Sequence, residues 1–351
     1  MTEGKVFRRV TAIGICLAVF MWGCAEQARE PVKPTSEVMK PAVEKAEPGA
    51  TEVALKPKVN EQTRYKIKML MRRSIEWEGP VPKKEAFETS FNEQRIEMVV
   101  DQQIQSVDVN GLTSAEVTID SMKCVSIVRG EPSVDFDSSR ASDANSLLAK
   151  LMGQSYKIKF GPDNRIISVY DLPPVSQLIK GQTPADRIGR NILSVNAIKQ
   201  YHATLTFPGV GEEQLQPGNT WSRIKTFSFG MMGLKSYEKI YTLKDVRDVS
   251  GHQIAVVDMN AIPSSEIEPE FRDQQAGADF PRMFDSRETY TGSGEVDLTS
   301  GRIDSYEEHL IASWITALPA QRVAEQDVED ANEPVVLKMA AQRSYGIKRI
   351  R

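Results

Sequence analysis

Short runs of alternating apolar and polar residues dominate the chain from about residue 63 onward. Arg64-Tyr65-Lys66-Ile67-Lys68-Met69-Leu70-Met71 alternates, and so does Arg95-Ile96-Glu97-Met98-Val99-Val100. Period-two patterning predicts half-buried strands of antiparallel sheets. Asn110-Gly111 falls between two such runs and is a strong hairpin signal; beyond it Ala115, Val117 and Ile119 share one face. A second hairpin is predicted over 155–170, around Gly161-Pro162-Asp163-Asn164. Downstream the same succession returns. A strand at 239–243 leads to a turn at Ser250-Gly251, 254–259 runs back, and a hairpin over 291–306 turns at Thr299-Ser300-Gly301. A last strand is predicted over 335–350, after an acidic stretch at 325–333.

The two successions align. Gly111 maps onto Gly251 at an offset of 140, Ile158 and Phe160 onto Val296 and Leu298 at 138, and Arg165-Ile166 onto Arg302-Ile303 at 137. A nearly constant offset is the mark of an internal duplication. Helical signals punctuate the strands. Ser142 or Asp143 caps a helix with Leu147, Leu148, Leu151 and Met152 on its apolar side, closed by Gly153. Thr183 followed by Pro184 opens another, in which Ile188, Ile192 and Val195 share one face. The matching slot of the second succession, 268–285, is polar, with Gly277 and Pro281, and reads as a loop. The expected fold is α+β, mainly antiparallel β. Two similar strand-rich halves, 63–172 and 205–351, are joined by a helical segment at 173–204.

The first 62 residues differ in kind. Lys5, Arg8 and Arg9 precede 13 uncharged residues at 10–22, a run too short to span a bilayer, which takes about 20. The run closes on Met21-Trp22-Gly23-Cys24. A small residue directly before a cysteine resembles the lipobox of bacterial lipoproteins, although Met21 and Trp22 depart from its usual residues. The resemblance implies cleavage between Gly23 and Cys24 and lipid on Cys24. It also implies export, with the membrane as a partner through that lipid, facing the periplasm or the cell surface, the outer membrane favoured. Residues 24–62 then read as a disordered tether: 25–60 hold five prolines, six Glu, six Lys or Arg and no aromatic residue. Such a chain spans roughly 30–35 Å. Loss of residues 1–23, which carry +2, takes the formal charge from −4 to −6.

That charge speaks against a nucleic-acid partner. Cys16 leaves with the leader and Cys24 is acylated, so Cys124 is a lone thiol, read as a buried apolar residue of a strand. Leu215-Gln216-Pro217-Gly218-Asn219-Thr220-Trp221, with the strands and Gly-Arg-Ile hairpin after it, resembles a family of uncharacterised β-rich bacterial secreted proteins and lipoproteins. The resemblance carries no activity; Trp221 is expected to anchor the core.

Catalytic chemistry is thin. His202, His252 and His309 are far apart and in no metal-ligand spacing. Gly292-Ser293-Gly294 is a nucleophile elbow in spelling only and reads as a strand end. Asp135-Phe136-Asp137-Ser138-Ser139 begins like a calcium loop, but Arg140 and Ser146 stand where glycine and a bidentate glutamate belong. Glu266, Glu268 and Glu270 read as a solvated loop. Lys66, Lys68, Arg72 and Arg73, with Trp77 nearby, read as the polar face of an edge strand, or as a contact to anionic lipid. No catalytic, cofactor or metal residue is therefore assigned. The expected function is a non-catalytic binding or structural protein of the envelope, with a protein, polymer or lipid partner. Its alternatives are a carrier of lipid or another apolar ligand with a concave half-barrel face, and an extracytoplasmic hydrolase whose site assembles only in space.

Overall fold

The structure is a computed structural model that describes residues 50–79, 89–208, 214–274, 283–318 and 335–350. The leader, Gly23, Cys24, most of the tether and the acidic stretch at 325–333 lie outside the described residues. In chain order the elements are β1 (Thr51–Glu52), β2 (Gln62–Glu78), β3 (Ser90–Val107), β4 (Thr113–Val128), β5 (Glu131–Asp137), β6 (Ser155–Phe160) and β7 (Ile166–Tyr170). Three helices follow, α1 (Val175–Leu178), α2 (Pro184–Ile192) and α3 (Val195–Tyr201). The second half holds β8 (Gln214–Leu215), β9 (Thr220–Ser228), β10 (Leu234–Val249), β11 (His252–Ser264), β12 (Asp285–Asp297), β13 (Arg302–Leu318) and β14 (Val335–Ile350).

One antiparallel sheet takes up twelve of these strands, in the order β7-β6-β4-β3-β2-β14-β13-β12-β11-β10-β9, with β5 beside β4. The predicted last strand is β14, and it is the keystone. It pairs with β13 on one side and with β2 on the other, Lys348 standing opposite Lys66. The basic strand is thus at the middle of the sheet, not at an edge as its charges had implied. Lys66 and Lys68 point outward to Glu97, at 2.7 and 3.6 Å, and Arg72 to Glu93 at 2.6 Å. A strand with one wet face is as polar on that face in the middle of a sheet as at its rim.

The sheet is rolled. Laid flat, the eleven strands of that order would set β7 and β9 about 48 Å apart at ~4.8 Å per strand. Instead Arg223 of β9 reaches Asp163, in the turn between β6 and β7, with its guanidinium 3.6 Å from the carboxylate. The edge strands do not pair with each other. The seam is closed by the segment after α3. On one side Phe207 donates its N–H to Asp163 O (3.1 Å) and the Asn164 amide donates to Leu205 O (2.9 Å). On the other Trp221 Nε1 donates to Thr206 O (2.7 Å). Trp221 is buried, as expected, and stacks on Tyr241 at 5.6 Å.

A barrel of about eight strands is filled by its own side chains, and more strands leave room inside. Here α3 and residues 203–208 occupy that room. Ile198, Leu205 and Phe207 are fully buried, and Tyr345 of β14 donates its hydroxyl to Tyr201 O at 2.6 Å. Thr183 and Asp186 form a reciprocal cap on α2, as the sequence predicts. The helix stops at Ile192, however, because Ser194 caps α3 anew. That resets the phase, and Val195, expected on the buried face, is exposed. The helix expected near 142–153 is two 3-10 turns, Ala141–Asp143 and Leu147–Leu151. Ser146 breaks the run by capping the second turn, yet Leu148 and Leu151 are buried as predicted.

The body starts before residue 63. Thr51 and Glu52 pair with Leu215 and Gln214, Val53 is fully buried, and Lys56 donates its N–H to Gly301 O at 3.0 Å. Residues 50–61, expected in the tether, therefore lie on the shell. Gly301 permits this contact: its φ is +65°, and a Cβ there would stand 2.4 Å from Lys56 N.

Candidate functional site

The candidate site is the interior of the rolled sheet. Its wall is made by the inward residues of every long strand, among them Ile67, Met98, Val117, Ile158, Tyr241, Val257, Val296, Tyr306 and Ile347, all buried. Among the described residues, two of the cavities lie beside the plug formed by α3 and 203–208. One, about 60 Å³, is lined by Leu55, Tyr65, Ile104, Phe160, His202 and Ile347. The other, about 50 Å³, is lined by Met69, Met71, Phe227, Tyr290, Lys225 and Arg343, with Glu308 and Gln200 of α3.

Among the described residues, the wall carries one ion pair with both partners buried. Lys239 Nζ lies 2.7 Å from Glu308 Oε2, with both side chains nearly inaccessible. The Lys239 ammonium also sits within 5.3–5.7 Å of the Tyr241, Tyr290 and Tyr306 ring centres, and Tyr306 donates its hydroxyl to Glu308 at 2.7 Å. Burial alone pushes the Lys239 pKa down, but Glu308 and the three tyrosines outweigh it and the net direction is up. Burial pushes Glu308 up; Lys239 and the hydrogen bonds to it outweigh that, and the net direction is down. Both groups are charged. Gly292 stands opposite Glu308 in the ladder, where a Cβ would come 2.5 Å from Glu307 O. This glycine is in the interior of β12, not at a strand end.

Arg343 is the second polar element of the wall. Its guanidinium lies 4.6 Å over the Phe227 ring and donates to Gln200 Oε1 at 3.3 Å. Burial, and after it the like charge of Arg73, push its pKa down.

The histidines do not converge. His202 ends α3 inside the shell, where Tyr156 Oη lies 2.8 Å from its Nε2 and burial lowers its pKa to about 4. His252 holds Asp297 at 2.9 Å beside the β10–β11 turn, and His309 meets Ser344 on the outer face. Asp297 in turn accepts the N–H groups of Thr299 and Ser300, so this pair braces a turn. The carboxylates of the calcium-like stretch are already engaged: Asp137 by Lys123 at 2.9 Å, Asp135 and Asp143 by Arg140 at 2.9 and 2.7 Å. No group of three potential metal ligands occurs among the described residues. Glu268 is not free in solvent, since it accepts the Thr226 N–H at 2.7 Å and faces Lys225 at 3.4 Å. Cys124 is buried, which pushes its thiol up to about 12.

Sequence reasoning passed over Lys239, Glu308 and Arg343. Their trace is a charge in the inward phase of a strand: Tyr237, Lys239, Tyr241, Leu243 on β10 and Tyr306, Glu308, Leu310, Ala312 on β13.

No protein-family model and no curated protein sequence matches the chain. Among solved structures, one described as lipid–protein interactions in lipovitellin is similar at a TM-score of 0.39 and 12% identity, over 84% of this chain. The chain corresponds to about a quarter (25%) of that structure's length.

Proposed function

We propose that this is a lipid-anchored envelope protein that carries an apolar or amphiphilic ligand inside its rolled sheet. The observation that carries the reading is the seam. Arg223 and Asp163 bring the edges together, yet what seals them is the segment after α3, bonded to both edges, rather than a strand ladder. Cavities of 60 and 50 Å³ are far below the ~300–1,000 Å³ of a ligand pocket. The described state is closed, and loading requires α3 and 203–208 to withdraw. A chamber opened by withdrawing a helix suits a cargo that enters along its length, as an acyl chain does.

Duplication fits the same reading. The strand sets β2-β3-β4-β6-β7 and β9-β10-β11-β12-β13 follow one another in the same direction across the sheet, matching the 137–140 offset of the sequence. Two copies side by side, joined through β14, make a wall wide enough to roll.

Native mass spectrometry of the chain purified from its host envelope, with organic extraction, tests the carrier role. A defined lipid or other apolar molecule is expected; an apo mass from every preparation sinks the reading. The anchor is tested separately. Cys24→Ala is expected to leave the body folded and to move it from the membrane pellet to the supernatant, and retention in the pellet after a high-salt wash would overturn the lipid assignment.

A further inference from the structure

The end of the shell that holds the 50 Å³ cavity has an excess of positive charge. Arg343 of β14 and Lys225 of β9 both line the cavity beside the Phe227 ring, 4.6 and 5.8 Å from its centre. Arg73 of β2, opposite Ala341 on the strand that bears Arg343, is solvent-exposed outside the cavity and adds its like charge to that of Arg343. The single carboxylate lining the cavity, Glu308, is already neutralised by Lys239. Lys225 shares Glu268 at 3.4 Å. Among the described residues, neither Arg343 nor Arg73 has a carboxylate at ion-pair distance. The acceptors of Arg343 are weak and neutral: Gln200 Oε1 at 3.3 Å and Met71 Sδ at 3.9 Å.

This is an unusual place to leave an arginine. A guanidinium is a planar fork of donors that matches a carboxylate or phosphate two bonds at a time, and half-buried it gains most from such a partner. Gln200 is solvent-exposed, so the cavity stands at a mouth of the shell, with polar groups outside and Met69, Met71, Tyr290 and Leu310 within. Gln200 also belongs to the plug. When α3 withdraws, Arg343 loses its side-chain oxygen acceptor.

We propose that this mouth is the headgroup pocket of the chamber: it binds the carboxylate or phosphate end of a single-chain amphiphile, with Arg343 as the principal contact and Lys225 beside it. The proposal rests on the carrier reading and adds the class of cargo. The amide of Gln200 is a neutral stand-in for the anion, so plug and cargo compete for one guanidinium. The tail runs past the methionines into the space that α3 vacates.

Calorimetric titration of the chain with dodecanoate, dodecyl phosphate, dodecanol and inorganic phosphate tests this. The two anionic amphiphiles are expected to bind roughly tenfold or more tighter than dodecanol. Arg343→Gln is expected to erase that preference, so that dodecanoate binds no tighter than dodecanol. Gln200→Glu places a permanent anion on the plug; it is expected to raise the melting temperature and to weaken dodecanoate by roughly tenfold. Since Gln200 is exposed, this variant keeps the test decisive even if Arg343→Gln does not fold. Equal binding of dodecanol and dodecanoate, or a Gln200→Glu variant that binds dodecanoate like the parent, removes the headgroup pocket and leaves the carrier. Binding of inorganic phosphate as tight as that of dodecyl phosphate removes the tail tract and with it the carrier, leaving an anion site alone. No binding of any of the four overturns both.

Discussion

Glu308→Ala is expected to cost about 3–5 kcal/mol of folding stability, the range for breaking a buried ion pair from one side. At 2.7 Å the pair attracts by about 6 kcal/mol with an effective dielectric near 20, a gain of the same order as the cost of drying two charges. Removing Glu308 leaves that cost for Lys239 and takes away most of what offsets it; the Tyr241, Tyr290 and Tyr306 faces offset only about 2 kcal/mol even when desolvated. Lys239→Met in the same chain is expected to recover most of the loss, because the ammonium is gone and the flexible thioether fills its volume. An exposed pair gives the contrast. Lys244 and Asp258 are 3.0 Å apart with about half of each side chain in water (56% and 50%), and Asp258→Ala is expected to cost about 0–1 kcal/mol. Urea denaturation of the four chains checks the argument. A Glu308→Ala loss no larger than that of Asp258→Ala would mean that water reaches the pair and that the interior is not a dry chamber.

Strand by strand, the wall of that chamber was legible. Tyr65, Ile67, Ile96, Met98, Val117 and Ile119 alternate with polar residues, and the structure buries each of them. A period of two reports which face is dry and says nothing about curvature. The rolling depends on partners far apart in sequence, Arg223 with Asp163 and β14 with β2, and no local pattern encodes either. The edge-strand reading of Lys66 and Lys68 failed for that reason: an outward face looks the same wherever its strand stands. Composition misled at the tether. Prolines and balanced charge mark 25–60 as disordered as a whole, yet Val53 and Leu55 alternate within it, and the pairing of Thr51 with Leu215 draws them onto the shell. Lys239 and Glu308 were visible as charges in the wrong phase. Each alone reads as an exception to its strand, and only the rolled sheet brings them together.

Acidification from pH 7 to pH 4 is expected to remove about 3 kcal/mol through His202 alone. Burial lowers its folded pKa to about 4 from the ordinary 6.5 of an imidazole. The unfolded chain therefore takes up the proton first, and stability falls with falling pH across that interval. At about 1.36 kcal/mol per unit the interval amounts to about 3 kcal/mol, fully lost only below the folded value. Above pH 6.5 the imidazole is neutral in both states and contributes no slope. Asp137, Asp143, Asp186, Asp297, Glu93 and Glu308, whose pKa values are held down in the folded chain, act in a lower window, starting only as pH falls toward 4.5. The neighbourhood of His202 gives its proton no anion to meet: Tyr156 is neutral, and Glu61 at the same cavity is paired with Arg302. His202→Gln keeps a polar group beside Tyr156 without a titrating one, and the difference between its pH–stability curve and the parent's isolates this histidine from His252 and His309. The parent is expected to lose stability between pH 6.5 and 4.5, the variant much less; equal slopes would show that His202 is hydrated. Since His202 terminates α3, the same proton acts on the plug before it acts on the shell. Amide exchange at pH 5 is then expected to rise in α3 and 203–208 while β2 and β14 stay protected, and to rise less in His202→Gln.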